Sequence, residues 1–146
     1  MSQAHVLVVD DERFFREAIE EVLAREDVPR RFAATGEEAL RAGEDPAVGV
    51  VVLDLNLPDL HGLEVFRRLR EARPELRVVV LSASTEEEHV LEALRLGAFD
   101  YLAKPLHEEE LALAVRRARE TFASASGWTR LRARLARLEE ALSKLT

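Results

Sequence analysis

Residues 50–62 read VVVLDLNLPDLHG, and the change of character inside this stretch decides the fold. Val50 to Leu53 form a short, continuously apolar run rich in β-branched side chains, the pattern of a parallel strand covered on both faces by helices. Asp54 ends the run, and the segment from Pro58 to Gly62 supplies turn chemistry before a helix that begins at Leu63. The same order recurs on either side. Val6 to Val9 is followed by Asp10 and Asp11, and Val78 to Leu81 by Ser82 and Ala83. Weaker strand segments occupy Arg31 to Ala34 and Phe99 to Leu102, the second leading into Lys104 and Pro105.

Helical periodicity fills the intervals. Glu12 to Arg25 places Phe15, Ile19, Val22 and Leu23 on one inner face. Gly36 to Glu44 reads as a short helix, and a third runs from Leu63 to about Arg73, where Pro74 stops it. Further helices are expected over Glu86 to Leu96 and over Glu108 to about Phe122, with Glu108, Glu109 and Glu110 suited to the positive end of the latter. The alternation predicts an α/β fold of (βα)5 type, a doubly wound parallel sheet with right-handed crossovers. Ligands of such sheets bind outside the carboxyl ends of the strands, so Asp10, Asp11, Asp54, Ser82 and Lys104 converge on one edge. Taken singly, Asp10 and Asp11 would merely cap the first helix, Asp54 would be a turn residue and Ser82 a loop hydroxyl. Lys104 resists that treatment, because Ala-Lys-Pro directly after a strand spends a long charged chain at a sheet edge. All five at these positions fit a site that accepts phosphate.

Composition narrows the classes. The chain has 146 residues, 47% of them apolar, enough for one domain of ordinary core size plus an appendage. It contains no cysteine, which removes disulfides and thiolate metal sites, and no apolar run approaches the length of a membrane span. A cytoplasmic protein without a membrane segment is expected. Charge is uneven: residues 1–122 carry 16 basic and 26 acidic side chains, residues 123–146 carry 5 and 2. The acidic part lacks the basic surface that phosphate-backbone contacts require, so no nucleic-acid binding is expected of this segment alone. His5, His61, His89 and His107 show no metal-ligand spacing, and no Walker loop, dinucleotide fingerprint or Ser-His-Asp set is visible.

The Asp10-Asp11 pair, the segment from Asp54 to Gly62, Ser82-Ala83, Gly97-Ala98 and Lys104-Pro105 together resemble the receiver domain of two-component response regulators. The resemblance covers residues 4 to about 122. It implies a flavodoxin-like sheet in the order 2-1-3-4-5 and a phosphorylation-dependent switch in which Asp54 accepts a phosphoryl group. The donor would be a sensor histidine kinase or a phosphotransfer protein. It further implies Mg2+ held by Asp11, Asp54 and the backbone carbonyl of Asn56, with Asp10 acting through water. Lys104 would meet one phosphoryl oxygen, while the Ser82 hydroxyl and the Ala83 backbone N–H would donate to others. A cis bond before Pro105 would aim Lys104 inward. Tyr101 would be the aromatic that turns inward when Ser82 moves, altering the face formed by helix 4, strand 5 and helix 5. The plain alternative is a half-buried strand tyrosine with its hydroxyl in water. One departure is Ser82, where the family more often has threonine; the donor is kept and a methyl is lost.

The chemistry agrees with the resemblance. Phosphorylating a carboxylate calls for an exposed aspartate, a divalent cation and donors to the transferred oxygens. Three carboxylates at one edge repel one another unless a hard cation joins them, and Mg2+ suits oxygen ligands of this kind. The chain would catalyse only its own phosphorylation and dephosphorylation. An aspartyl-phosphate-type phosphatase is the competing class, but its second aspartate, a general acid, corresponds to Asn56, which has no proton to give in that role.

The tail has its own pattern. Trp128, Leu131, Leu135, Leu138, Leu142 and Leu145 recur at alternating intervals of three and four, a heptad seam. With Trp128 at a, Arg134 falls at g and Glu139 at the following e, a pair that attracts across a parallel dimer. The division is therefore a receiver over 1–122 and a linker with an amphipathic coiled-coil helix over 123–146, giving a homodimer through residues 128–145. A helix that folds back on the main domain is the other arrangement. Ser124 to Gly127 is the expected joint, since glycine costs about 1 kcal/mol in a helix interior relative to alanine.

Overall fold

The structure is a computed structural model that describes residues 4–83 and 87–144, with the backbone alone over 124–136. Five strands, β1 (His5–Val9), β2 (Arg30–Ala33), β3 (Val48–Asp54), β4 (Arg77–Ser82) and β5 (Asp100–Ala103), make one parallel sheet in the order β2-β1-β3-β4-β5. Between them lie α1 (Arg13–Arg25), α2 (Gly36–Ala42), α3 (Gly62–Ala72) and α4 (Glu87–Arg95), and α5 (Glu108–Ser143) follows β5. The flavodoxin-like order implied by the family resemblance is the one observed.

Alternation along the strands sorts the core into two layers. Leu7, Val9, Val51, Leu53, Val78 and Val80 pack with Leu63, Val65, Phe66 and Leu69 of α3, whereas Val6, Val8, Val50, Val52, Val79 and Leu81 pack with residues of α1 and α5. Each strand with apolar side chains on both sides needs a helix on both sides, which is why the central runs are continuous rather than alternating. All seven residues of β3 are buried. Burying a large apolar side chain contributes roughly 1.5 to 3 kcal/mol, so β3 is the most strongly anchored strand and a firm base for the residues at its carboxyl end.

Chain reversals at the strand ends are tightly specified. Gly62 opens α3 against backbone: a Cβ there would lie 2.4 Å from the Leu55 Cα, and its N–H donates to the Leu55 carbonyl at 2.9 Å. Gly97, at φ +81°, closes α4 in the left-handed conformation that glycine adopts without penalty.

Three expectations shift. β2 and β5 each lie one residue from their expected positions, and the inner face of α1 buries Ile19, Val22 and Leu23 but not Phe15, which is half-buried. The third shift is the length of α5, which continues through residues 124–127 to Ser143 as one helix of 36 residues. One glycine among alanines, leucines and arginines costs less than the surrounding propensity returns, so the joint leaves the helix unbroken. The boundary at 122/123 thus falls inside α5, close to Phe122, whose ring occupies the space a side chain at position 49 would enter. Of the seam residues, the side chains of Trp128, Leu131 and Leu135 and the whole of Leu145 lie outside the described residues. Among the described residues no helix is long and apolar enough to cross a membrane.

Candidate functional site

β1, β3, β4 and β5 end at one edge of the sheet, and the residues at or just beyond their ends form the site. Asp54 is the last residue of β3 and Ser82 the last of β4. Asp10 and Asp11 follow β1, and Lys104 directly follows β5 and precedes a cis bond to Pro105. The Lys104 N–H donates to the Ser82 carbonyl at 3.0 Å, which fixes the segment that carries the ammonium.

Lys104 Nζ donates to Asp54 Oδ2 at 3.1 Å and lies 3.9 Å from Asp10 Oδ2. Asp54 Oδ1 accepts the Asn56 N–H at 3.1 Å, and Asp10 Oδ1 accepts the Glu12 N–H at 2.8 Å. This last bond makes a turn ahead of α1 and is not a cap, because the N-cap position is Glu12 itself and carries no side-chain capping bond; the other Asp10 oxygen, Oδ2, is buried and without a hydrogen bond among the described residues. Asp10, Asp54 and Ser82 are buried, whereas Asp11 is exposed.

One expectation is corrected here. Asp54 is not exposed: its side chain is 0% accessible, covered in part by a Lys104 side chain that is itself only 8% exposed. A phosphorus atom reaches this carboxylate only after the ammonium and its neighbours give way.

The electrostatics follow from burial. Desolvation pushes the Asp10 carboxyl up to about 6; the Asp54 charge adds to the rise, while the Glu12 N–H and the Lys104 ammonium pull the other way. One ammonium does not neutralise this edge. Asp10, Asp11 and Asp54 each present an oxygen within 4.8 Å of the others. An all-oxygen donor set with one orphaned, charge-starved oxygen fits a hard divalent cation.

Asn56 and Ala83 are exposed at the rim, on the loops that follow β3 and β4. Tyr101 is half-buried in β5 against the core layer of α3, and its hydroxyl is buried without a hydrogen bond among the described residues rather than standing in water. The histidines stay apart from the carboxylates: His61 Nδ1 accepts the Leu63 N–H at 3.1 Å, and its ring lies 5.2 Å from that of His89.

Two residues near the site escape a reading by sequence alone. Asp59 bridges the loop after β3 to α2, accepting the Gly36 N–H at 2.8 Å and the Glu37 N–H at 3.1 Å. The Gly36 contact, more than any other, holds its carboxyl below the usual range. Its partners are 23 and 22 residues away, so no local signal reveals them. Phe15 is the second: its ring centroid is 4.2 Å from Lys104 Nζ.

Comparison with known proteins bears on this arrangement. The family described as "Response regulator receiver domain" matches residues 6–116. The chain belongs to the response regulator receiver domain family. This receiver is 35% identical over 118 residues to the DNA-binding transcriptional regulator NtrC of Azospirillum brasilense, covering 81% of this chain and 24% of that protein. It is 39% identical over 114 residues to the transcriptional activator protein ExaE of Pseudomonas putida, covering 77% and 53%. This receiver therefore spans about a quarter to a half of the length of these relatives. Among solved structures, the BeF3-activated receiver domain of DrrB from Thermotoga maritima superposes with a TM-score of 0.73 at 36% identity, covering 81% of this chain and 98% of that one. Receiver domains are the signalling switches of two-component systems and take phosphoryl groups from histidine kinases.

Proposed function

We propose that Asp54 is the phosphoacceptor of this receiver and that phosphorylation changes the face formed by α4, β5 and α5. The observation that carries the reading is the Lys104 ammonium 3.1 Å from a fully buried Asp54, beside two further carboxylates at the same strand edge. An ion pair this deep is a poor source of stability, because desolvation offsets most of the attraction. Its value lies in chemistry.

In the transfer, an Asp54 oxygen attacks phosphorus, an O–P bond forms, and the donor's P–N bond to histidine, or P–O bond in acetyl phosphate, breaks with its electron pair leaving on the donor. Lys104 exchanges its Asp54 contact for a transferred oxygen, and the Ser82 hydroxyl and Ala83 N–H donate to the others. Asp10, Asp11, Asp54 and the Asn56 carbonyl would hold Mg2+, which when bound supplies the positive charge that lets two anions approach. Hydrolysis reverses the modification: water attacks phosphorus, the Asp54 O–P bond breaks, and inorganic phosphate leaves with the proton passed to solvent. The Ser82 hydroxyl, drawn to the phosphoryl group, vacates space toward which Tyr101 turns. The Tyr101 hydroxyl, buried and unbonded among the described residues, has reason to find another partner.

The DrrB receiver is described as activated by BeF3, and this receiver should respond to the same anion. Its donor is a sensor histidine kinase or phosphotransfer protein, in the cytoplasm. The tail beyond residue 122 pairs two copies in parallel through the seam at 128–145, which Leu138 and Leu142, 57% and 63% exposed in the single chain, support.

The test is labelling with acetyl phosphate and Mg2+. One acid-stable, base-labile phosphoryl group per chain is expected on the wild type and none on Asp54→Asn. Labelling that survives in Asp54→Asn overturns the assignment.

A further inference from the structure

α1 begins with two adjacent aromatics, Phe14 and Phe15, whose rings meet edge to face at 6.0 Å and 83°. The apolar pattern assigns Phe15 to the same inner face as Ile19, Val22 and Leu23, but those three are buried and Phe15 is not. Instead its ring lies under the ammonium of Lys104, 4.2 Å from Nζ to the centroid. The contact has a direct chemical sense. An aromatic face attracts a cation within about 6 Å, the more strongly where water is excluded, and the Lys104 side chain is only 8% exposed.

Nζ is thus held from three sides, by Asp54 Oδ2 at 3.1 Å, Asp10 Oδ2 at 3.9 Å and the Phe15 ring. The two carboxylates change partners when a phosphoryl group or a cation arrives. The ring does not, because it is uncharged and carries no exchangeable ligand atom. It is the one of these three contacts whose partner group takes no part in the reaction.

We propose that Phe15 is a positioning residue of the phosphoacceptor site: its ring face holds the Lys104 ammonium at Asp54 and so speeds transfer of the phosphoryl group to Asp54. This rests on the reading of Asp54 as phosphoacceptor. Without the ring, the four-carbon stem of Lys104 leaves the ammonium free to sample positions away from the transferred oxygens, and the transition state loses part of its charge stabilisation. Leucine at position 15 keeps an apolar side chain of similar bulk but has no π face, and tyrosine keeps the face. That pair of substitutions separates cation binding from packing.

The sequence makes the contact directly readable. It has two lysines, Lys104 and Lys144, so lysine-selective 13C labelling gives two sets of side-chain signals that Lys104→Arg assigns. In the unphosphorylated wild type the Lys104 Cε protons should lie upfield of those of Lys144 through the ring current of Phe15. That displacement should vanish in Phe15→Leu and remain in Phe15→Tyr. Labelling by acetyl phosphate and Mg2+ should run roughly three- to tenfold slower in Phe15→Leu, the effect of one cation–π contact, and within about twofold of wild type in Phe15→Tyr. Unchanged Lys104 shifts in Phe15→Leu would overturn the contact. Equal labelling rates in wild type and Phe15→Leu, or a tyrosine variant as slow as the leucine one, would overturn the positioning role. Labelling retained in Asp54→Asn would remove the phosphoacceptor reading instead, with the lysine shifts still deciding whether Phe15 holds Lys104.

Discussion

The edge of the sheet and the end of α5 depart from the usual distribution of residues in opposite directions. At the edge, Asp10 and Asp54 are charged and almost wholly inaccessible, at 1% and 0% exposure. At the end of α5, Leu138 and Leu142 are apolar and mostly in water. Single exposed leucines are ordinary, two of them one turn apart on one helix are less so, and buried carboxylates are rarer still. Each arrangement is a cost in the isolated chain that the proposed partners would offset. A cation or phosphoryl group suits the edge and a second helix suits the tail. The stakes differ: a buried charge without full compensation costs several times what an exposed leucine does.

The edge gives the largest expected effect. If the carboxylates cooperate around a metal, Asp11→Asn should weaken Mg2+ binding at least about tenfold, since charge count sets the affinity of oxygen sites. Isothermal titration with Mg2+ checks this, and equal affinity would place the metal elsewhere.

The cost of the buried charge can be read from pH. The Asp10 carboxyl titrates at about 6 in the fold against 3.8 for the free group, so between these values the native chain holds a proton that the unfolded chain has lost. Stability of the metal-free chain therefore falls through this group as pH rises from about 4 to about 6, by roughly 2 to 3 kcal/mol in all. Asp10→Asn should remove that slope and, in EDTA at pH 7, stabilise the chain by about 1 to 2 kcal/mol in urea unfolding. A variant less stable than wild type under those conditions would mean that the Lys104 pairing outweighs desolvation.

At the tail the expected effect is smaller. Two and a half heptads bury little area, and association costs remove much of it, so a dimer in the micromolar range is expected. Leu138→Asp should raise its dissociation constant at least about tenfold in sedimentation equilibrium, one leucine being worth roughly 1.5 to 3 kcal/mol when buried. A wild-type chain that sediments as a monomer at about 100 µM would break the comparison on this side while leaving Asp54 untouched. The smallest effect belongs to Ser82→Thr. It restores the family's more frequent residue at a buried position, and the hydroxyl donor stays. Labelling by acetyl phosphate should change less than about twofold, with up to about 1 kcal/mol of stability lost to the added methyl.

Fold and site are largely legible in the chain because strand, charge and turn lie side by side in it. Val50 to Asp54 states both a buried strand and the residue displayed at its end, and three repetitions of that order bring the carboxylates, Ser82 and Lys104 to one edge. Periodicity misplaces Phe15 because it assigns a face and not a depth. At the first turn of α1 the face turned to the sheet is also the face turned to Lys104. Asp59 escapes a local reading because its partners belong to a different helix.

The layer architecture, the parallel pairing of the strands and the identity of the charged residues at the strand ends are written along the chain, since these come from local periodicity and from where apolar runs stop. Only the tertiary structure decided how deep those charges lie. Burial depends on side chains contributed from elsewhere: Lys104, 50 residues from Asp54, covers it, and Phe15 lies against Lys104. Desolvation and electrostatics depend on distance in space, and a sequence records distance only along the chain.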